Sequence, residues 1–291
     1  MKILVIHEPG PFGQHLLNRL RETSLDVTPL LISQPADVAL DELYAWIPGD
    51  CDLVLNALSM DDPELAEREP DAARHRLLAI PQVLAERAAR DGIAMFQFSS
   101  CYIFDGRKQR PYIASNPGHP LGVMGQYQWE CEQMLRTTLT RHLILRSGWS
   151  LRRFCEKVTR EGQPGEPLYL SGRCRGQPVA VWDQARVVVA IAQQLDCGAE
   201  AWGTYQYAGA ETVSQYELGV EILDMLERET QPVLVDENAP WMELEPANAV
   251  LNCQKIRHTF GIQQQSWRHS LADELDRPRQ QNNNDQEQLT P

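Results

Sequence analysis

Residues His7 to Gly13 (His7-Glu8-Pro9-Gly10-Pro11-Phe12-Gly13) hold the first spacing with chemical consequence. They follow an apolar run, Ile3 to Ile6, and precede a stretch with Leu16, Leu17 and Leu20 at helical spacing. A diphosphate held in such a place needs a tight turn, close approach of backbone and a helix N-terminus facing it. Gly10 and Gly13 meet the first two needs, and the strand-loop-helix context raises two glycines from a weak signal to a dinucleotide site. His7, Gly10, Pro11, Phe12 and Gly13 are therefore the candidate cofactor-binding residues. Glu8 places an anion beside an anion site, and Pro9 removes an amide donor. The cofactor is NADP or NAD. Leu30-Leu31-Ile32-Ser33-Gln34-Pro35 offers neither an acid for a ribose hydroxyl nor an arginine for a 2′-phosphate.

The elements that must position this loop read as alternating strands and helices. Strands are expected at 3–6, 27–32, 52–57, 94–99 and 142–146, and helices at 14–22, 40–46, 70–91 and 125–137. Near-continuous apolar strands separated by helices imply a parallel sheet covered on both faces. The fold class is α/β: a Rossmann-type doubly wound parallel sheet with a smaller C-terminal α/β substrate lobe. Residues 1–150 form the dinucleotide-binding domain and 151–276 the smaller lobe, with parts of 176–210 returning to the first. Strands at 168–170 and 204–208 and helices at 182–195 and 215–227 are assigned to the lobe. Residues 277–291, rich in Gln and Asn, read as a disordered polar tail.

Composition narrows the function. A net charge of −13 over 291 residues disfavours a nucleic-acid surface, which needs a basic patch. No run approaches the about 20 apolar residues that span a bilayer. The first strand is too short for a signal peptide, so a cytoplasmic protein is expected. The seven cysteines form no close pair and their number is odd, which favours free thiols over disulfides or zinc. His7, His15, His75, His119, His142, His258 and His269 are scattered, and no metal site is expected.

Phe96 to Gly106, with Ser99, Ser100, Cys101, Tyr102, Phe104 and Asp105, resembles the S-T-D-Y-V-F-D-G stretch of dTDP-4-dehydrorhamnose reductases. These are extended short-chain reductases acting on nucleotide sugars. Pro111-Tyr112, Pro120 to Val123, Gly125 and Glu132 are similar to the family's P-Y…P-x-N-x-Y-G-x-S-K-x-x-G-E. Asp52 to Ala57 resembles its D-x-V-x-N-A strand, and Leu145 to Trp149 its L-R-T-S-W. Gly176 to Val179, Tyr205 to Gly209, Phe260 to Ile262 and Trp267-Arg268 extend the likeness over residues 2–276. The resemblance implies cofactor contacts at Asn56, Ala57 and Gln128. It implies substrate contacts at Ser99, Ser100, Tyr102, Phe104 and Trp149.

The same resemblance locates a loss. Family members reduce a ketone with hydride from a nicotinamide, a Tyr hydroxyl supplying the proton and a Lys four residues on holding the ribose. Counted from Val123 and Gly125, the Tyr position is Met124 and the Lys position is Gln128. Methionine cannot donate a proton, and glutamine carries no charge. Ser100 retains the third hydroxyl, while His7 stands at the first glycine of the family's G-x-x-G-x-x-G loop. Tyr127 or Tyr102 is a candidate substitute acid. Cys101, at the family's Asp, is read as packing rather than a nucleophile.

Beside a purely structural or assembly protein with an empty cleft, which His7 or Phe12 filling the pyrophosphate site would favour, two functions follow. One is a protein that binds a dinucleotide or nucleotide sugar with impaired turnover, acting as a binding or regulatory subunit with a protein partner. The β regulatory subunit of methionine adenosyltransferase, which resembles the same family, is a precedent. The other is a working NADPH-dependent nucleotide-sugar reductase with a relocated acid. A homodimer is compatible with either. Arg107, Lys108 and Arg110 could meet a diphosphate at the cleft edge or be a solvated loop. Asp61 and Asp62 could serve acid chemistry or cap a helix at Pro63. Trp129, Trp149, Trp182 and Trp267 read as packing aromatics.

Overall fold

Four strands with buried, largely apolar side chains form the middle of the protein: β1 (Lys2–His7), β3 (Leu53–Asn56), β4 (Ala94–Ser100) and β5 (His142–Ser147). With the edge strand β2 (Asp26–Leu31) they alternate with α1 (Pro11–Arg21), α2 (Leu40–Trp46), α3 (Pro63–Arg68), α4 (Pro70–Arg74), α5 (Ile80–Asp91) and α6 (Val123–Thr138). This computed structural model describes residues 1–58, 60–235 and 240–275, so the tail expected at 277–291 lies outside the described residues.

With a sixth strand, β10 (Gly203–Tyr207), the sheet has the order β10-β5-β4-β3-β1-β2 and every pairing is parallel. It is the Rossmann-type α/β sheet expected from the sequence. Strand order reverses between β1 and β3, and ligands of such sheets bind beyond the carboxyl ends at that switch point. The residues following β1 and β3 lie there: His7 to Gly13 and Ala57-Leu58. One face of the sheet is packed by Leu16, Leu17 and Leu20 of α1; the other buries Leu43, Leu84 and Leu135 of α2, α5 and α6.

The helix expected over 70–91 is interrupted. Between α4 and α5 lies a π turn, His75–Ala79, in which the Ile80 amide donates to the His75 carbonyl five residues back. Pro81 has no N–H to give the Leu77 carbonyl, so the ladder widens just ahead of it.

Beyond β5 come β6 (Trp149–Ser150), α7 (Leu151–Glu161), β7 (Leu168–Ser171), β8 (Arg175–Gly176), β9 (Pro178–Val179) and α8 (Val181–Asp196). They are followed by β10 (Gly203–Tyr207), β11 (Val213–Ser214), α9 (Gln215–Met225), β12 (Pro232–Val235) and α10 (Gln254–Phe260). Two elements grouped with the lobe lie in the 176–210 stretch expected to return to the first domain, and both pack there. The strand expected at 204–208 is β10, which completes the large sheet against β5. Helix α8, expected at 182–195, shares the main core with α1 through Val187, Val188 and Ile191. A separate core joins α7, β7 and α9 through Phe154, Val158, Leu168, Leu218 and Ile222. Short strands and an amphipathic helix carry no local mark of the sheet they join, so the sequence did not say which parts of 176–210 make that return.

Glu132 of α6 and Arg146 of β5 are both fully buried and joined by two hydrogen bonds, Nε to Oε1 at 2.9 Å and Nη2 to Oε2 at 2.7 Å. The Arg146 guanidinium also donates to the Ala114 carbonyl at 3.1 Å and lies over the Phe104 ring, 5.2 Å from its centroid.

Candidate active site

The turn after β1 shows how the His7 side chain is accommodated. Gly10, the N-cap of α1, has φ 155° and ψ 165°, and no side chain caps the helix. A Cβ on Gly13 would lie 3.0 Å from both Cβ and Nδ1 of His7, so the absent side chain at 13 makes room for the imidazole. The ring sits within 3.2 Å of the Glu8 carbonyl oxygen and lines a hollow beside Gln14, Asn18, Arg21 and Leu31. Arg21 thus supplies a cation near the end of β2 that reading along that strand could not reveal. Pro11 opens α1, and its first turn carries no acidic side chain. The helix N-terminus therefore keeps free donors for an anion.

Beside this loop lies a cleft of about 500 Å³. Gly10, Pro11, Phe12 and Gly13 form one wall, with Ala57 and Leu58 after β3. Ser99, Ser100, Tyr102 and Gln128 form another, with Ser147, Gly148 and Ser150 after β5. Phe12 packs edge-on against Phe98 at 5.2 Å. Ser99 lines the cleft, and its hydroxyl is buried without a hydrogen-bond partner.

The proton donors are differently placed. Ser100 Oγ donates to Gln128 Oε1 at 2.5 Å and accepts from the Tyr102 amide at 3.2 Å. Met124, only 1% exposed, sits in the main core and does not line the cleft. Tyr127 packs partly buried against the same core and does not line the cleft either. Tyr102 does line it, yet its hydroxyl donates to the Glu245 carboxylate (3.0 and 3.1 Å) and accepts from Arg153 at 3.2 Å. Burial, with the Glu245 charge beside it, pushes the Tyr102 phenol well above its ordinary range. Burial also raises the Glu245 carboxyl against the pull of Arg153.

Three residues expected at the site lie elsewhere. Phe104 stacks on Tyr112 at 4.0 Å inside the core. Trp149 is buried over Gly176, where any Cβ would meet its ring at 2.5 Å. Asn56 is buried behind the wall, donating to Gln97 Oε1 at 2.8 Å and accepting from the Leu58 amide at 3.2 Å. It shapes the loop after β3 rather than lining the cleft.

The alternatives left open by the sequence also resolve. Arg107, Lys108 and Arg110 do not line the cleft; Arg107 lies beside Asp105, and Lys108 bonds Asn116 at 2.6 Å. Asp62 caps α3, accepting from the Leu65 amide, whereas Asp61 lines the cleft. Among the described residues no cluster of His, Cys, Asp or Glu is arranged for a metal ion, and no helix is long and apolar enough to cross a membrane.

All seven cysteines are free, and all but Cys197 are buried. Burial pushes the Cys51 thiol up to about 11 and Cys253 to about 12, and raises Cys101 further still. Thiolate is the reactive form. Native protein treated with Ellman's reagent is therefore expected to release the equivalent of one thiol promptly, from Cys197. The others should react only on unfolding, and a second fast thiol would contradict the placement of Cys101.

Sequence reasoning missed Arg152, Arg153, Glu156 and Glu245. Arg152 and Glu156 line the cleft and pair at 2.7 Å. The signal was present in part: two arginines open α7, where the helix dipole disfavours cations. Glu245 is 143 residues from Tyr102 and carries no such mark.

An open parallel sheet, a glycine turn into α1 and a serine-lined cleft at the switch point define a Rossmann-type α/β protein. Residues 1–280 match the RmlD substrate binding domain family, and the chain belongs to it. It is 30% identical to a dTDP-4-dehydrorhamnose reductase of Aggregatibacter actinomycetemcomitans, covering 93% of this chain and 97% of the relative. The solved dTDP-4-dehydrorhamnose reductase of Bacillus anthracis, in complex with NADP, superposes with a TM-score of 0.80 at 17% identity. That match covers 93% of this chain and 96% of the other. The rat methionine adenosyltransferase 2 subunit beta is 24% identical, covering 70% of this chain and 63% of that protein.

Proposed function

We propose that this protein binds NADP or NAD together with a nucleotide-sugar ligand and turns them over poorly, serving as a binding or regulatory protein. The observation that carries the reading is the fate of the proton donors. Ser100 spends its hydrogen on Gln128, Met124 is buried outside the cleft, and the Tyr102 proton faces Glu245. The residues suit a dinucleotide: the uncapped start of α1 and the Gly10 turn for the diphosphate, and Gln128 as a neutral partner for the ribose. When bound, the nicotinamide supplies hydride. The chain's own part would be to orient the ketone through Ser99 and Ser100 and to protonate the resulting alkoxide. The second task lacks a group, and loss of a general acid costs about 10²–10⁴-fold. A protein partner, as the name of the rat subunit suggests for that relative, belongs to the same reading.

Thermal-shift titration with NADPH and NADH, followed by a turnover assay with dTDP-4-dehydrorhamnose, tests it. Ligand in hundredfold excess over its dissociation constant stabilises by about 2.7 kcal/mol. Stabilisation with NADPH consumption near background is expected. No shift at millimolar dinucleotide would sink the binding reading. Rapid consumption would instead favour an active reductase using Tyr102, the phenol that does line the cleft, and Tyr102→Phe would then abolish it.

A further inference from the structure

Glu8 lines the cleft directly beside Gly10, where the glycine loop turns into α1. Its carboxylate does not cap that helix. It is held instead by a short ion pair to Arg76, in the π turn next to Leu77, itself a wall of the cleft. The Arg76 side chain is 19% exposed, and its Nε is buried with no hydrogen-bond partner. Arg76 itself does not line the cleft and reaches it through Glu8; with Glu8 moved aside, its fork of donors would face the uncapped start of α1, an arrangement suited to a diphosphate. The wall itself offers little to an anion: among the described lining residues Glu8, Asp61 and Glu156 are acidic, and Arg152 alone is basic and is paired to Glu156.

We propose that Arg76 is the cation for the diphosphate of a dinucleotide, and that Glu8 occupies it as an intramolecular competitor that binding must displace. The proposal rests on the reading that the glycine loop takes a dinucleotide. Glu8 then sets the affinity: in the free protein it neutralises Arg76, and in the complex it must surrender the guanidinium and lie beside another anion. The π turn that displays Arg76 exists because Pro81 breaks the helical ladder just beyond it.

Isothermal titration of NADPH into the unmodified full chain, Glu8→Gln and Arg76→Gln tests this, with thermal melts verifying that each variant folds. Glu8→Gln is expected to bind about tenfold more tightly, and Arg76→Gln about tenfold more weakly. Both changes should shrink as salt rises, since the interaction is partly exposed. If the unmodified chain binds and Glu8→Gln matches it within about twofold, or binds more weakly, the competitor role is overturned while the dinucleotide reading stands. If Arg76→Gln binds as the unmodified chain does, the cation assignment is overturned. If none of the three folded proteins binds, the dinucleotide reading itself fails and this proposal falls with it.

Discussion

The double variant Met124→Tyr, Gln128→Lys is expected to reduce dTDP-4-dehydrorhamnose with NADPH at least about 10²-fold faster than the unmodified chain. The two positions are one helical turn apart on α6, and both side chains are buried on the face that packs behind β4. At 128 the side chain lines the cleft and holds the Ser100 hydroxyl at 2.5 Å. A lysine there releases Ser100 to face a substrate oxygen and supplies the charge that favours an ionising phenol. Position 124 lies in the core one turn ahead of Gln128, and a tyrosine, longer than methionine, brings its hydroxyl from there towards the cleft. Each single variant should recover much less than the pair, because groups acting as a unit are far from additive. Absorbance loss of NADPH in a stopped-flow instrument measures this, with circular dichroism verifying the fold. An unmodified chain already as fast as the double variant would overturn the impaired reading.

Arg146→Met is expected to cost about 3–5 kcal/mol of stability, read from denaturant unfolding, with a fall in melting temperature on the order of 10 °C. The reason is Glu132, fully buried and left with Arg136 at 2.6 Å. Removing one partner of a buried pair strands the other's charge in a medium that solvates it poorly. The Ala114 carbonyl also loses its donor, and the Phe104 ring loses the cation above it. Glu132→Leu combined with Arg146→Met should recover much of that loss, since no charge is then stranded. A single-variant cost below about 1 kcal/mol would mean that the pair contributes no more than an exposed one. Arg146 pairs in register with Ser99, so the loss should also loosen the wall of the cleft.

Much of the fold was legible because its signals are local. Apolar runs marked β1, β3, β4 and β5, and α2 spans the residues its pattern indicated. What escaped were an interruption and the identity of the elements that return to the large sheet. The π turn at 75–79 depends on Pro81 inside an otherwise regular helical pattern. Strand β10 and helix α8 look the same along the chain whichever core receives them. At the site, Gly10, Pro11, Phe12, Gly13, Ala57, Ser99, Ser100, Tyr102 and Gln128 do line one cleft. Phe104, Trp149 and Asn56 are buried around it instead, since a motif gives a residue's place in the chain and not the direction of its side chain.

The sequence by itself determined the strand-turn-helix around Gly10 and Gly13, and the spacing of Met124 and Gln128 one helical turn apart. Those properties depend on a few neighbouring residues and on backbone periods of two and 3.6. The tertiary structure alone decided that Glu245 meets Tyr102 and Arg153, that Arg76 holds Glu8, and that His7 settles against Gly13 without lining the cleft. Each of the first two joins side chains brought together by the packing of distant elements. Their energies arise from burial and charge in the folded molecule, where no local period can register them.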